Sequence, residues 1–319
     1  MVPTDLLVVP ALLALYGCYR LRPRLGRSFL GVLLPLVAIP LVLFAGYWLW
    51  YFHRPQPGEL TRDLFPGISY HRESRTTPRP LALHVVTIDL DSPGLEFLVT
   101  PGEPVARGHL RARTTSQFVR EFDMDIAINA SFFYPFHSDG PFDYYPHVGD
   151  PVNAAGSCAS RRQWYSAPAR GYYLLAITED NRVTIGGPGG DAWNAVSGKP
   201  ILLKDGQICD GLEEERALHP RTAVALDRSS RRMFWLVIDG RQPRYSEGVT
   251  LLELADVCRE FGGWNALVLD GGGSTTLVVR GDDGKTEVLN CPIHGNHPPG
   301  IERPVASHLG VRAKVGDPR

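Results

Sequence analysis

Two aspartates, each at the end of an apolar run and each followed by glycine, are the residues best placed to do chemistry. Asp239 closes Met233–Ile238 and opens Asp239-Gly-Arg241, while Asp270 closes Ala266–Leu269 and opens Asp270-Gly-Gly-Gly-Ser274. Carboxylates can act as nucleophile, base or electrostatic partner, and bare glycine amides can form an anion-binding nest. Three consecutive glycines cost backbone entropy, and close approach of a ligand to the backbone accounts for them better than a turn does. Arg241 adds a cation beside the first acid. A P-loop or dinucleotide site would need a helix after the glycines, but Ser274–Val279 is β-branched and continues as a strand.

The elements between the two acids explain how they meet. Thr250 and Glu253 stand at capping-box spacing, Leu251, Leu254, Ala255, Cys258 and Phe261 recur at threes and fours, and Gly262-Gly263 ends the helix. Strand, helix and strand in this order predict a crossover that lays the two strands parallel in one sheet, with both acids at its carboxyl edge.

Upstream, Ile126–Phe133 is an apolar strand carrying Asn129 and Ser131, and a buried Asn needs partners. It is a structural bridge or a ligand contact. Residues 137–150 form a long aromatic loop whose rings, hydroxyls and carboxylates suit a polar ligand such as a sugar. His219-Pro-Arg221-Thr222 leads into another strand, and Glu302-Arg303-Pro304 into the last. Neither the His/Asp loop nor Cys291, His294 and His297 has compact metal-ligand spacing, so no metal and no cofactor is expected.

The 319 residues, net charge −1, suit one sizeable domain plus an accessory segment, and no basic–aromatic tract points to nucleic acid. The first part differs in kind. Leu6–Tyr19 is apolar and marginally long enough to span a membrane, Arg20–Arg27 carries four arginines, and Phe29–Phe52 is an apolar run ending among Trp and Tyr. We expect a membrane anchor of one or two helices over residues 1–53, with the arginines cytoplasmic and the rest exported. A Pro- and Arg-rich linker over 54–80 and a folded domain over 81–319 follow. Of five cysteines, Cys158, Cys209, Cys258 and Cys291 fall in the exported part, where two disulfides are possible; Cys258, on a core helix face, looks more like a buried thiol.

Ile128-Asn-Ala-Ser-Phe-Phe133, Pro220-Arg-Thr-Ala223, Val237-Ile-Asp-Gly-Arg-Gln242, Tyr245-Ser-Glu-Gly248, Leu269-Asp-Gly-Gly-Gly-Ser-Thr-Thr276 and Glu302-Arg-Pro-Val-Ala306 occur in order. Together they resemble the phosphodiester glycosidase family over about Leu81–Lys314. The resemblance implies an α/β fold (mixed α+β): a mixed β-sheet domain with flanking helices that hydrolyses a sugar-1-phosphodiester at the anomeric carbon. The family's motif residues fall on Asn129, Arg221, Thr222, Asp239–Arg241, Asp270–Ser274 and Arg303. Asp270, Asp239, Arg221 and Asn129 are then expected at the reaction centre, and Thr222, Arg241, Gly271, Gly272, Gly273, Ser274 and Arg303 on the substrate. Many relatives have Gly-Gly where this chain has Ala130-Ser131, which bears on substrate identity. The expected partners are a sugar-phosphate diester or phosphorylated glycan and, through the N-terminal helices, a membrane. The roles of the two acids stay open on sequence alone, since both could instead orient the arginines. A non-catalytic phosphoglycan-binding protein and a P–O-cleaving phosphodiesterase are the rival functions.

Overall fold

The computed structural model describes Tyr16, residues 27–103 and residues 108–313. The expected first span, Leu6–Tyr19, and most of the arginine cluster lie outside these residues. Two compact units are present, Met1–Pro55 with Pro243–Tyr245, and Gln56–Gln242 with Ser246–Arg319. The first unit contains helix α1 (Arg27–His53). Its segment Leu36–His53 has a mean hydropathy of 1.5 and is long and apolar enough to cross a membrane, a property that membrane anchors and signal sequences share.

The second unit holds all strands, numbered along the chain. Its largest sheet runs in the order β1 (Leu60–Phe65), β2 (Ile68–Arg75), β3 (Leu81–Asp89), β19 (Arg232–Ile238), β18 (Arg221–Leu226), β20 (Asn265–Val268), β16 (Ile201–Lys204), β17 (Gln207–Ile208). A second sheet runs β22 (Thr286–Val288), β21 (Leu277–Arg280), β6 (Ile126–Asn129), β23 (His308–Ala313), β4 (Leu95–Val99). A third runs β12 (Gln163–Ser166), β11 (Cys158–Ser160), β15 (Asn194–Gly198), β13 (Tyr173–Ile177), β14 (Val183–Ile185). Smaller pieces are β5 (Leu110–Arg111), β10 (Pro151–Ala154) and β7 (Phe133–Tyr134), and the hairpin β8 (His137–Gly140) with β9 (Asp143–Tyr145).

Strand periodicity decides the layering. In β19, Met233, Trp235 and Val237 enter one core, and Phe234, Leu236 and Ile238 enter another. The first core also takes Ile126 and Ile128 of β6, Leu277 and Val279 of β21, and Leu309 and Val311 of β23, so it lies between the two large sheets. The other face of β19 is covered by helix α3 (Leu251–Glu260) through Leu254, Ala255 and Cys258. On the far side of the second sheet, helix α2 (Thr115–Glu121) buries Phe118 and Val119 against Leu98, Ala127 and Val278. The result is a mixed α+β fold layered helix, sheet, sheet, helix.

Both longer helices of this unit begin where a capping box can form. Thr250 accepts from the Glu253 amide while Glu253 accepts from the Thr250 amide, and Thr114 with Gln117 repeats the pattern for α2. Gly262, at φ +93°, turns the chain out of α3 in the left-handed region that favours glycine.

Of three expectations the first is borne out with an added strand, the second is corrected, and the third, left open above, is narrowed. β19 and β20 do run parallel within one sheet, but β18 lies between them and pairs antiparallel with both. Every hydrogen-bonded neighbour among the described strands is antiparallel, because β18 supplies the intervening direction. Residues 60–75, expected within a linker, form the hairpin β1–β2 on the edge of the sheet. Ile68 and Tyr70 are its buried face, and Gly67 at φ +73° makes the turn. Its charged outer face and the prolines around it had hidden the alternation. Cys158, Cys209 and Cys258 are free thiols, with Cys158 and Cys258 buried in separate cores.

Replacing Thr250 by Ala removes one half of the α3 cap. Urea unfolding of the variant is expected to show a loss of about 1 kcal/mol. An unchanged midpoint would show that the packed face of α3 holds the helix without its cap.

Candidate active site

Because β18 is antiparallel between β19 and β20, its first residue sits beside the last residues of both. Arg221 pairs with Ile238, and Ala223 with Val268. Arg221 therefore arrives at the same edge as the Asp239–Arg241 and Asp270–Gly273 turns. Arg303 comes from the segment leading to β23. That segment is tied down where Glu302 accepts from the Ser116 amide at 2.9 Å and where Val305 bridges to Arg113.

A cavity of about 300 Å³ opens at this edge, lined by Arg221, Arg241, Arg303, Asp270, Gly271–Gly273, His219, Leu269, Phe132 and Phe136. Burial pulls all three guanidinium groups below their usual pKa, Arg303 to about 10. Arg221 donates only long bonds to the Val249 and Ala217 carbonyls, each 3.4 Å. Arg303 reaches the Ser274 hydroxyl at 3.5 Å and lies 4.2 Å over the Phe136 ring, and its Nε has no hydrogen-bond partner among the described residues. The Arg241 backbone sits at φ +58°, a conformation non-glycine residues rarely adopt. This turns its guanidinium onto His219 Nδ1, at 3.0 Å, and alongside Gly272.

The glycines are required by these side chains. A Cβ on Gly273 would lie 2.1 Å from an Arg303 nitrogen, and one on Gly271 would lie 2.9 Å from the Pro220 carbonyl oxygen. The Gly272 amide already donates to that carbonyl at 2.8 Å. The run thus serves close packing of cations on backbone.

Asp270 is the single carboxylate lining the cavity among the described residues. Burial pushes it up to about 6, against the opposing effects of Ser274, Arg303 and the Gly271 amide, which donates at 2.9 Å. His219 is held below the usual histidine range by burial and then by Arg241 and Arg221, so its imidazole is neutral at pH 7. With Nδ1 accepting from Arg241, the proton resides on Nε2. The cavity then carries three positive charges and one negative, an excess that invites an anion.

The other expected site residues are brought near without lining the cavity. Asn129 is fully buried: its amide donates to the Asp270 carbonyl at 2.5 Å and accepts from Thr222 at 2.8 Å and from the Thr276 amide at 3.1 Å. Thr222 is spent on Asn129. Ser274 is buried and serves Asp270 and Arg303. Asp239 is 1% exposed; one oxygen accepts from Asn290 at 2.9 Å, both accept from the Cys291 amide at 3.0 Å, and the second faces His84 Nε2 at 3.2 Å. His84 continues to the Tyr70 hydroxyl at 2.7 Å.

His219, Phe132 and Phe136 are additions that sequence reasoning missed as site residues. His219 was two positions from Arg221, and the phenylalanines stood within and just past the Asn129 motif. The aromatic loop is a hairpin whose Tyr144 stacks with Phe136 and accepts from the Asn296 amide at 3.1 Å. Burial and the Arg303 charge hold His294, beside Tyr144, down to about 4.

A pocket so built suits an anionic group. Residues 123–312 match the family model for phosphodiester glycosidase, and the chain belongs to that family of hydrolases. No curated protein matches the chain. Among solved structures it is similar to a hypothetical protein from Synechocystis, with TM-score 0.59, 15% identity, 81% of this chain and 64% of that one. It thus spans a little under two thirds of that relative. It is also similar to the catalytic domain of zebrafish N-acetylglucosamine-1-phosphodiester alpha-N-acetylglucosaminidase, auto-inhibited by its pro-peptide, with TM-score 0.56, 19% identity, 82% of this chain and 86% of that one. At these identities the likeness speaks to the fold.

Asp270 ionises at higher pH in the fold than in the unfolded chain, where it titrates near 3.9. Its contribution to stability is therefore present at low pH and is lost as pH rises through about 6. In phosphate-free buffer at pH 7.5, Asp270→Asn is expected to be more stable than wild type by about 1–2 kcal/mol, allowing for partial exposure of the carboxyl. The gain should vanish below about pH 4. A variant that melts several degrees lower at pH 7.5 would show that the charged carboxylate supports the fold.

Proposed function

We propose that the protein hydrolyses a sugar-1-phosphodiester at the anomeric carbon, with Arg221, Arg241 and Arg303 on the phosphate and Asp270 on the sugar side. The observation that carries this reading is the set of three guanidinium groups, each partly desolvated, lining one cavity with one carboxylate of raised pKa. A phosphodiester keeps one negative charge, and the phosphate monoester that departs has a second pKa of about 6. Such a group leaves with little protonation and mainly needs cations, which agrees with a cavity lined by one acid instead of two.

Departure leaves positive charge on the anomeric carbon and ring oxygen. Asp270, ionised above about pH 6, stabilises or attacks that centre. The neutral His219, with its proton on Nε2, donates a hydrogen bond to a phosphate oxygen. Asn129 and Thr222 act through the Asp270 backbone, and Asp239 through the loop that begins at Asn290; on this reading they are positioning residues.

Asp270→Asn should fold and lose turnover by about a hundredfold or more. Arg221→Ala or Arg303→Ala should each lower kcat/KM on a diester by roughly ten- to hundredfold, from the loss of about 1.5–3 kcal/mol of charge-assisted bonding. Hydrolysis in oxygen-18 water separates the bond cleaved: label in the sugar supports this reading, and label in phosphate supports a P–O-cleaving phosphodiesterase. Tight binding of the diester with no turnover by wild-type protein would make it a phosphoglycan-binding protein instead.

The domain is further proposed to work outside the cytoplasm, held by α1. The support is the apolar stretch Leu36–His53 together with the arginines that precede it in sequence. Protease added to intact bacterial spheroplasts should digest the domain. Protection until lysis would reverse the assigned topology.

A further inference from the structure

A second cavity of about 490 Å³ adjoins the first, on the face of the sheet containing β11, β12, β13 and β15. Phe132 lines the catalytic cavity and packs edge-on against Tyr172, at 5.9 Å between ring centres. Tyr172 in turn lines the second cavity, so a wall of two rings separates them. The main surface of the second cavity is the indole of Trp164, left 45% exposed. Lys199 sits 4.4 Å over the Tyr172 ring and occupies that face, which leaves Trp164 as the open aromatic platform.

Two further features make the place a built one. A Cβ on Gly189 would fall 2.7 Å from the indole edge, so glycine there lets the loop close directly against the ring and fix its plane. Ser166 and Ser197 border the platform. Each donates its hydroxyl proton to a backbone carbonyl, Ser166 to Gly156 at 2.6 Å and Ser197 to Ser157 at 2.7 Å. Ser197 is only 2% exposed, which leaves the half-buried Ser166 as the hydroxyl whose remaining lone pair can accept from a ligand's O–H group.

A flat apolar face with a hydroxyl-accepting oxygen at its border matches a pyranose, whose ring presents C–H groups on its faces and O–H groups around its rim. We propose that this cavity is a glycan subsite that binds a sugar residue next to the one reacting at Asp270. The phosphorylated glycan expected of the family is then held at more than its reacting sugar. The inference rests on the function proposed above, and it adds Trp164 as a residue that sets specificity for chain length.

The test uses full-length protein in a sugar-free detergent. Saturation-transfer NMR with chitotetraose and maltotetraose, on the Asp270→Asn protein, reads binding without turnover. Transfer to the ring protons of at least one oligosaccharide is expected; it should disappear with Trp164→Ala added and survive with Trp164→Tyr, which keeps an aromatic face. In parallel, Trp164→Ala is expected to raise KM by about tenfold for a GlcNAc-1-phosphodiester carrying a tetrasaccharide aglycone, the size of effect expected from truncating a contact aromatic. The methyl diester should change by less than about twofold. Absence of transfer from both oligosaccharides, transfer that survives Trp164→Ala, or an equal loss on both diesters would overturn the subsite. Transfer that depends on Trp164 in a protein that hydrolyses neither diester would leave the subsite standing and refute the proposed reaction.

Discussion

The side-chain amide of Asn129 is the contact on which the site depends. It sits at the end of β6 in one sheet, accepts from Thr222 at the start of β18 in the other, and donates to the Asp270 carbonyl at the end of β20. Its oxygen also receives the Thr276 amide where the chain leaves for β21. One buried amide therefore ties both sheets to the turn that carries the cavity's carboxylate. Nothing at this depth can be replaced by water, and each polar group left unpaired costs about 1–3 kcal/mol. Asn129 is apt because it offers a donor and an acceptor on a short, stiff stem. Aspartate would put a charge there with no donor for the Asp270 carbonyl, and leucine would strand three polar partners.

With the turn fixed, the electrostatics follow from confinement. Three guanidinium groups share one edge, and the amides of Gly271–Gly273 lie close enough for the cations to rest on backbone. Burial weakens the hold of each arginine on its proton and pushes the Asp270 carboxyl the other way. The pocket is therefore a costly concentration of positive charge. The cations are held in place by Glu302 on the start of α2, the aromatic stack of Phe136 and Tyr144, and the left-handed backbone of Arg241.

Much of this was legible along the chain, and the rest was not for definite reasons. Local signals served well. The capping boxes of α2 and α3, the apolar runs of β19 and β20, and the ordered family motifs all describe residues whose structure depends on near neighbours. What escaped notice was long-range pairing. No local pattern says that β18 inserts between β19 and β20, yet that insertion delivers Arg221 and His219 to the edge. Nor does a polar, proline-flanked stretch such as Leu60–Arg75 announce itself as paired strands, since half its side chains face outward. The hairpin of β8 and β9 looks like loose loop until Tyr144 meets Phe136 and Asn296 from far along the chain.

The two Asp-Gly turns show most clearly where sequence stops and folding decides. Both follow buried strands of one sheet, and both precede a glycine. The exit of β19 meets the Cys291 amide, the Asn290 side chain and a histidine from β3, whose far nitrogen is held by Tyr70. These donors cover both oxygens of Asp239 and keep them from anything that enters the cavity. The exit of β20 meets the cavity itself. There Asp270 has the Gly271 amide and the Ser274 hydroxyl as donors, and Arg303 acts on it through charge alone. Burial outweighs these partners, so the carboxyl holds its proton to a higher pH than usual. The difference between an acid that anchors a loop and one that lines the cavity thus lies in the donors its neighbours bring, and here those neighbours are more than fifty positions away in sequence for the histidine and for Asn129 alike.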